Sequence, residues 1–150
     1  MNLKKLNFSI IVPVYNKEKY LKRCLNSILA DEKDDYEVIT INDGSTDNSL
    51  CILNSYPQNT KIRIYSQENI GANKTRLKGI SLAKGKYIIF VDADDTITSN
   101  LLPKLRLSIS NNPDIIKYNI NEIYSTKDKK EISNDKRKCF NWWTSIIWME

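Results

Sequence analysis

The chain has 150 residues, of which 41% are hydrophobic and 27% charged, a composition typical of about one globular domain. Its formal net charge of +5 is not gathered into a block of like charges, so the charge pattern does not predict nucleic-acid binding. The absence of histidine excludes Ser-His-Asp and Cys-His nucleophilic catalysis, and every zinc site that needs imidazole.

Cysteine usage and hydropathy predict a cytoplasmic protein. Cys24, Cys51 and Cys139 are widely spaced and form no CxxC pair, so neither a disulfide framework nor a zinc site is indicated. Reduced thiols are typical of the cytosol. The apolar run after the N-terminal lysines contains Pro13 and is too short for a signal peptide or for the roughly 18 residues of a membrane span.

The first half of the chain alternates strand and helix patterns. Residues 8–15 predict a strand, after which Asn16 can cap a helix. The apolar positions of that helix recur with helical spacing, at Tyr20, Leu21, Cys24, Leu25, Ile28 and Leu29. The segment DEKDD, residues 31–35, predicts a solvated turn, and YEVITIN, residues 36–42, predicts a second strand.

The alternation continues beyond Asp43. Gly44 predicts a turn, and Ser45, Thr46 or Asp47 is expected to cap a short second helix. KIRIYS, residues 61–66, reads as an edge strand, and Gly71 opens a third helix that runs to about residue 83. A buried strand over 87–91, a fourth helix from about residue 100 with Pro103 in its first turn, and a strand over 115–124 follow.

This repeated alternation predicts a three-layer α/β/α fold with a mainly parallel sheet. We expect the parallel strands in the order 3-2-1-4. Composition turns polar near residue 125. We therefore expect residues 1–125 to form the core, and residues 126–150 to form a polar loop and the start of an incomplete further region.

Polar side chains follow three of the predicted strands. Tyr15-Asn16 ends the first, Asn42-Asp43-Gly44-Ser45 the second, and Asp92-Ala93-Asp94-Asp95 the fourth. Ligands of open parallel sheets bind beyond the carboxyl ends of the strands, so these residues are expected to share a cleft.

The three acids of the last segment predict a metal-bound phosphate site. Neighbouring carboxylates repel each other, and Mg²⁺ or Mn²⁺ often binds through one or two carboxylates together with substrate phosphates. The alternative is that Asp94, Asp95 and Thr96 only cap and start a helix.

Two further strand-end residues each have two interpretations. Tyr15 is either a half-buried aromatic or a stacking face for a nucleobase, and a stacked base contributes about 1–3 kcal/mol. Asp43 either forms an Asx-turn or accepts a hydrogen bond from the imino N–H of a base.

Three segments together resemble family-2 glycosyltransferases with the GT-A fold. They read FSIIVPVYNKEKYLKRCLNSIL, YEVITINDGSTDNS and NIGANKTRLKGISLAKGKYIIFVDADD, and the resemblance covers about residues 8–110. It implies inverting, metal-dependent transfer of a sugar from a nucleotide-diphosphate donor, expected to be a UDP-sugar. The implied acceptor is a saccharide or lipid-linked molecule in surface polysaccharide or glycan synthesis.

The resemblance also implies roles for individual residues. Pro13, Tyr15 and Asn16 would line the base pocket, and Asp43 would hydrogen-bond the base. Arg76 would face the diphosphate, Asp92 would touch the ribose or the metal, and Ala93 would lie beside it in the substrate site. Asp94 would ligate Mn²⁺ or Mg²⁺.

The chain departs from the family pattern in its site and in its length. Asn42 stands where an acid is commoner, and Thr75 and Leu77 flank Arg76 where alanine and asparagine are usual. Family members continue into an acceptor half that supplies the catalytic base. No acid after residue 110 lies in a matching motif, so no base is assigned, and we expect either a truncated chain or an unusually short family member.

The sequence leaves two alternative functions and one further contact open. The chain could be a non-catalytic nucleotide-sugar-binding fragment that lacks the acceptor half. Asp-x-Asp-x-Thr also fits the haloacid-dehalogenase-type phosphatases, with Asp92 as nucleophile and Asp94 as acid/base. The basic segment KDKKEISNDKRK could contact acidic lipid headgroups at the inner face of the membrane, although a solvated loop is the favoured interpretation.

Overall fold

The computed structural model describes residues 6–57, 61–117 and 145–148. Strands and helices alternate along most of this part of the chain. In order they are β1 (Phe8–Val14), α1 (Glu18–Leu29), β2 (Tyr36–Asp43), α2 (Ser49–Asn54), β3 (Ile62–Gln67), α3 (Ala72–Leu82), β4 (Tyr87–Phe90), α4 (Leu101–Ser108), β5 (Ile115–Lys117) and β6 (Ser145–Trp148). A single 3₁₀ turn, Ile109–Asn111, follows α4. Among the described helices, none has both the length and the apolarity needed to cross a membrane.

The strands form one sheet in the order β3-β2-β1-β4-β6-β5. The pairs β3–β2, β2–β1 and β1–β4 are parallel, which confirms the predicted fold class and the predicted 3-2-1-4 order. The strand β6 lies antiparallel between β4 and β5. The sequence analysis assigned no strand to residues 145–148, and the expected domain boundary near residue 125 lies outside the described residues.

Both faces of the sheet are buried, as expected for a three-layer fold. On one face, alternate residues of β1, β2 and β4 pack against α1, α2 and α4, with Leu25, Leu53 and Leu105 among the buried helix residues. On the other face, Ile11, Ile39 and their neighbours pack against α3. The parallel strands are apolar on both faces for this reason.

Helix α1 presents a narrower apolar stripe than predicted. Leu21, Cys24, Leu25 and Ile28 are buried, whereas Tyr20 is 45% exposed. Its ring instead lies 5.9 Å from the guanidinium carbon of Arg23. Tyr20 lies in the first turn of α1, outside the buried stripe.

The segment 31–35 is solvated as predicted at its three central residues, but its first and last residues, Asp31 and Asp35, are not. Arg106 of α4 makes two hydrogen bonds to the carboxylate of Asp31 and two to that of Asp35, all between 2.7 and 2.8 Å. The side chains of Arg106, Asp31 and Asp35 are 13%, 12% and 22% exposed. Arg106, the cation that pairs with these two acids, lies far along the chain. The sequence around residues 31–35 therefore gives no sign of it.

Candidate functional site

A cleft of about 500 Å³ opens at the carboxyl edge of the sheet. It lies beyond the ends of β1, β2 and β4, where the strand order reverses direction between β1 and β4. This is the switch point at which open α/β sheets bind ligands. The residues that line it are Pro13, Val14, Tyr15, Lys17, Asp43, Asn69, Gly71, Ala72, Arg76, Asp92, Ala93 and Asp94.

The structure brings nearly all of the predicted site residues into this one cleft. Pro13, Tyr15, Asp43, Arg76, Asp92, Ala93 and Asp94 all line it. They come from three strand ends and from α3, which parallel pairing places at the same edge. Asn16 is the exception and does not line the cleft.

Asn16 holds the neighbouring turn and does not cap α1 as predicted. Its side-chain oxygen accepts a hydrogen bond of 2.8 Å from the backbone N–H of Thr46, and its own N–H donates to Ser45 Oγ over 3.1 Å. Its backbone is left-handed, with φ of 51°, a conformation that asparagine tolerates better than most residues. Asp47 Oδ2 accepts a hydrogen bond from the N–H of Glu18, the first residue of α1, and so supplies the missing cap from another loop.

Asp43 is buried at the end of β2 and joins it to the loop before α3. Oδ1 accepts hydrogen bonds from Gln67 Nε2 at 2.7 Å and from Ile70 N at 3.0 Å, and Oδ2 accepts one from Gly71 N at 3.0 Å. Burial alone would raise the pKa of Asp43, but hydrogen bonds, led by that from Gln67, outweigh it and hold the pKa below its ordinary value. Asp43 is therefore an ionised acceptor on the wall of the cleft.

The Asx-turn interpretation of Asp43 is wrong, because its carboxylate accepts hydrogen bonds from residues 67–71 and not from the N–H two residues on. The neighbouring Asn42 contacts the turn instead. Asn42 Oδ1 accepts a hydrogen bond of 3.2 Å from Ser45 N, and Asn42 Nδ2 donates to Ser66 Oγ at 3.0 Å. An amide at this position satisfies a donor and an acceptor at once. Because an asparagine side chain both donates and accepts, it suits this position, where family-2 enzymes more often have an acid.

The segment Asp92–Asp95 forms a turn, and the helix-capping alternative for its acids is wrong. Asp95 N donates to Asp92 O over 2.9 Å, and the next helix, α4, does not begin until Leu101. The carboxylates of Asp92 and Asp94 are therefore free of any capping role and lie at the cleft.

Basic side chains from two other elements contact these acids. Arg76 Nη2 lies 2.5 Å from Asp92 Oδ1, and Lys17 Nζ lies 2.6 Å from Asp94 Oδ2. Burial raises the pKa of Asp95, and the negative charges of Asp92 and Asp94 raise it further. The three acids of the turn therefore act on one another, and the charges of Lys17 and Arg23 only partly offset this effect at Asp95.

The donor set at the turn fits a hard divalent cation that takes part of its coordination from a ligand. Within the described residues, no group of three or more His, Cys, Asp or Glu side chains could hold a metal ion by itself. Asp92 and Asp94 offer two carboxylates at the cleft, and Mg²⁺ commonly uses one or two carboxylates with waters and substrate phosphates. These two residues are the ones that could hold the cation.

Several lining residues carried no assigned role in the sequence analysis. Asn69 and Gly71 belong to the Asn-x-Gly helix start that was part of the family resemblance, and that motif was the signal for them. Lys17 lies beside the Tyr-Asn motif but had no signal of its own, because its partner Asp94 is distant in sequence. Thr75 and Leu77, which flank Arg76, do not line the cleft.

Comparison with known proteins supports the resemblance. A model of the glycosyl transferase family 2 matches residues 9–147. Glycosyltransferase GlyG of Streptococcus pneumoniae is 42% identical over 99 residues, which cover 65% of this chain and 33% of GlyG. The poly(ribitol-phosphate) beta-glucosyltransferase of Bacillus spizizenii is 40% identical over 102 residues, which cover 65% of this chain and 16% of that protein.

A solved structure shares the fold. The crystal structure of S. aureus TarS 1–349 in complex with UDP-GlcNAc matches 95% of this chain and 45% of its own, with a TM-score of 0.75 and 27% identity. The chain spans less than half the length of each of these three proteins. The family match overturns the phosphatase alternative. The chain belongs to glycosyl transferase family 2.

Proposed function

We propose that this chain is the donor-binding part of an inverting, metal-dependent glycosyltransferase that uses a UDP-sugar. The observation that carries the proposal is the convergence of Tyr15, Asp43, Arg76, Asp92 and Asp94 on one cleft at the switch point of the sheet. Structures of the similar protein TarS in complex with UDP-GlcNAc and with UDP support a uridine nucleotide as the ligand class.

The nucleobase would bind between Tyr15 and Asp43. The Tyr15 ring is 48% exposed at the cleft, so one face is open for stacking. Asp43 is an ionised acceptor that lines the same cleft. Its carboxylate suits the imino N–H of uracil, which adenine lacks.

The diphosphate would lie beside Arg76 and the acidic turn. Arg76 is only 8% exposed and is held by Asp92, so its guanidinium is fixed in position at the cleft wall. Asp92 and Asp94 would hold Mn²⁺ or Mg²⁺ against the phosphates. When bound, the cation would supply Lewis-acid stabilisation of the charge on the departing nucleoside diphosphate.

The acceptor is proposed to be a saccharide or lipid-linked molecule of surface polysaccharide or glycan synthesis. Similar proteins named as poly(ribitol-phosphate) glycosyltransferases support a polymeric acceptor. We place the reaction in the cytoplasm, at or near the inner face of the membrane, and the free thiols Cys24 and Cys51 are consistent with that compartment. Inverting transfer needs a base for the acceptor hydroxyl, and we assign none.

Thermal unfolding with Mn²⁺ and UDP, separately and together, tests the proposal. A ligand at 100 times its Kd stabilises the fold by about 2.7 kcal/mol, and we expect that stabilisation only when both are present. Asp94→Asn should abolish the metal-dependent increase in melting temperature. Asp95→Asn is the matched control, because it removes the same charge from the same turn at a residue that does not line the cleft.

Two results would contradict the proposal. The first is an equal increase in melting temperature with UDP alone, which would exclude a metal bridge. The second is equal stabilisation by ADP, GDP and UDP, which would exclude the assigned base pocket. Transfer of radiolabelled sugar distinguishes the enzyme from the non-catalytic binding fragment.

A further inference from the structure

Lys17 reaches into the cleft from a fixed backbone. It is the N-cap residue of α1, and its carbonyl accepts hydrogen bonds from Tyr20 N and Leu21 N at 3.0 and 2.9 Å. Its own N–H donates to Ser49 Oγ over 2.9 Å. Only the side chain is left to move, and its ammonium lies 2.6 Å from Asp94 Oδ2.

The two basic residues that pair with the carboxylates of Asp92 and Asp94 differ in their freedom to leave them. The side chain of Arg76, which contacts Asp92, is 10% exposed. The side chain of Lys17 is 36% exposed, and that of its partner Asp94 is 42% exposed. Lysine is a compact charge on a flexible four-carbon stem, whereas the guanidinium of arginine is a rigid planar fork. Lys17 can therefore release its acid without disturbing the core.

We propose that Lys17 is the resident counter-ion of Asp94 and couples metal binding to nucleotide binding. This inference rests on the proposed function, because it assigns the metal to Asp94. An ammonium and a divalent cation at one carboxylate repel each other. Binding of the cation to the free protein therefore favours displacement of Lys17 from Asp94.

An anionic ligand changes the cost of this displacement. Lys17 lines the same cleft as Arg76, so the released ammonium stays beside the space proposed for the diphosphate. With a diphosphate present, the ammonium exchanges one anionic partner for another. Without it, the ammonium loses its partner. Lys17 should thus weaken metal binding to the free protein and strengthen the dependence of metal binding on the nucleotide.

Direct measurement of bound Mn²⁺ by electron paramagnetic resonance, with and without UDP, tests this coupling. Lys17→Met should bind Mn²⁺ alone about two- to fivefold more tightly than the wild type, the range expected for loss of a solvent-accessible ion pair. The factor by which UDP increases Mn²⁺ affinity should fall by a similar amount. Association of Mn²⁺ with UDP in protein-free solution is measured and subtracted.

Two further variants serve as controls. Lys17→Arg keeps the positive charge and should not tighten Mn²⁺ binding in the absence of UDP. Lys19→Met removes the same charge from the same helix, but Lys19 is exposed and does not line the cleft, so it should change neither affinity. If Lys17→Met is poorly folded, Lys17→Gln provides the same loss of charge with a polar side chain.

The possible failures are distinguishable. If Lys17→Met and Lys19→Met both match the wild type while Mn²⁺ and UDP still bind together, the coupling role is overturned and the proposed function stands. If the wild type binds no Mn²⁺ with or without UDP, the inference and the metal-dependent function both fail.

Discussion

Gly71 donates its backbone N–H to Asp43 Oδ2 over 3.0 Å, which joins the start of α3 to the end of β2. With the two hydrogen bonds to Oδ1, this contact fixes the loop that carries Asn69 and Ile70. Asp43, the residue predicted to bind the nucleobase, therefore also holds the structure of the cleft together. Its substitution should affect stability as well as binding.

Asp43→Asn should destabilise the fold by about 1–3 kcal/mol, the usual cost of a buried donor without an acceptor. An amide has one acceptor oxygen, whereas N–H groups approach both oxygens of Asp43, so one of them must face an NH₂ group. Urea unfolding measures the loss. Glu68→Gln, an exposed acid of the same loop, is the control and should stay within about 0.5 kcal/mol of the wild type.

Gly44, in the turn after β2, and Gly71, which lines the cleft, should differ in their tolerance of alanine. Both have positive φ, 70° at Gly44 and 87° at Gly71, so alanine at either position is strained by about 1–2 kcal/mol. At Gly71 a new Cβ would meet nothing within 4 Å, whereas at Gly44 it would lie 2.7 Å from Asn69 N. Gly44→Ala should therefore cost more than Gly71→Ala in thermal unfolding. Equal costs would contradict the packing of the Gly44 turn against Asn69.

Tyr15→Ala should weaken UDP binding by about 1–3 kcal/mol through loss of base stacking. Tyr20→Ala is a close control, since the two rings are exposed to nearly the same extent, 48% and 45%, and only Tyr15 lines the cleft. Isothermal titration calorimetry in the presence of Mn²⁺ measures both affinities. A similar loss in the two variants would exclude a specific stacking role for Tyr15.

Arg106→Met should destabilise the fold by about 2–4 kcal/mol at pH 7, because it leaves two largely buried acids without their cation. Hydrogen bonds from Arg106 hold the pKa of Asp31 and of Asp35 below the ordinary value in the folded state. Because the pKa of each acid is lower in the folded state than in the unfolded state, the ionised acids stabilise the fold above their unfolded-state pKa of about 4. This contribution to the free energy of unfolding is lost as the pH falls below that value.

The difference in stability between the wild type and Arg106→Met should therefore shrink as the pH falls from about 5 to 3. Urea unfolding across this range measures it. Lys104→Met removes an equal charge from an exposed position of the same helix and should leave the difference from the wild type small at every pH. A gap that stays constant with pH would show that Arg106 stabilises the fold through packing of its stem.

Sequence patterns predicted the parallel core because they are local. Alternating and continuous apolar runs determine which segments can be buried as strands, and helical spacing determined the buried stripe of Leu21, Cys24, Leu25 and Ile28. The strand β6 had no such signal, since Ser145–Trp148 becomes a strand by pairing with β4 and β5. Its neighbours are more than 25 residues away in the chain.

The candidate site likewise has features that the sequence predicts and features that only the tertiary structure decides. The sequence by itself determined which residue types stand at the strand ends, and parallel pairing requires those ends to meet, so Tyr15, Asp43, Asp92 and Asp94 could be placed in one cleft before any coordinates. Only the tertiary structure decided how their charges are compensated. Lys17 meets Asp94, Arg76 meets Asp92 and Arg106 meets Asp31 and Asp35 across long chain separations. Such ion pairs depend on distances of a few ångströms between packed elements, which the order of residues along a chain does not specify.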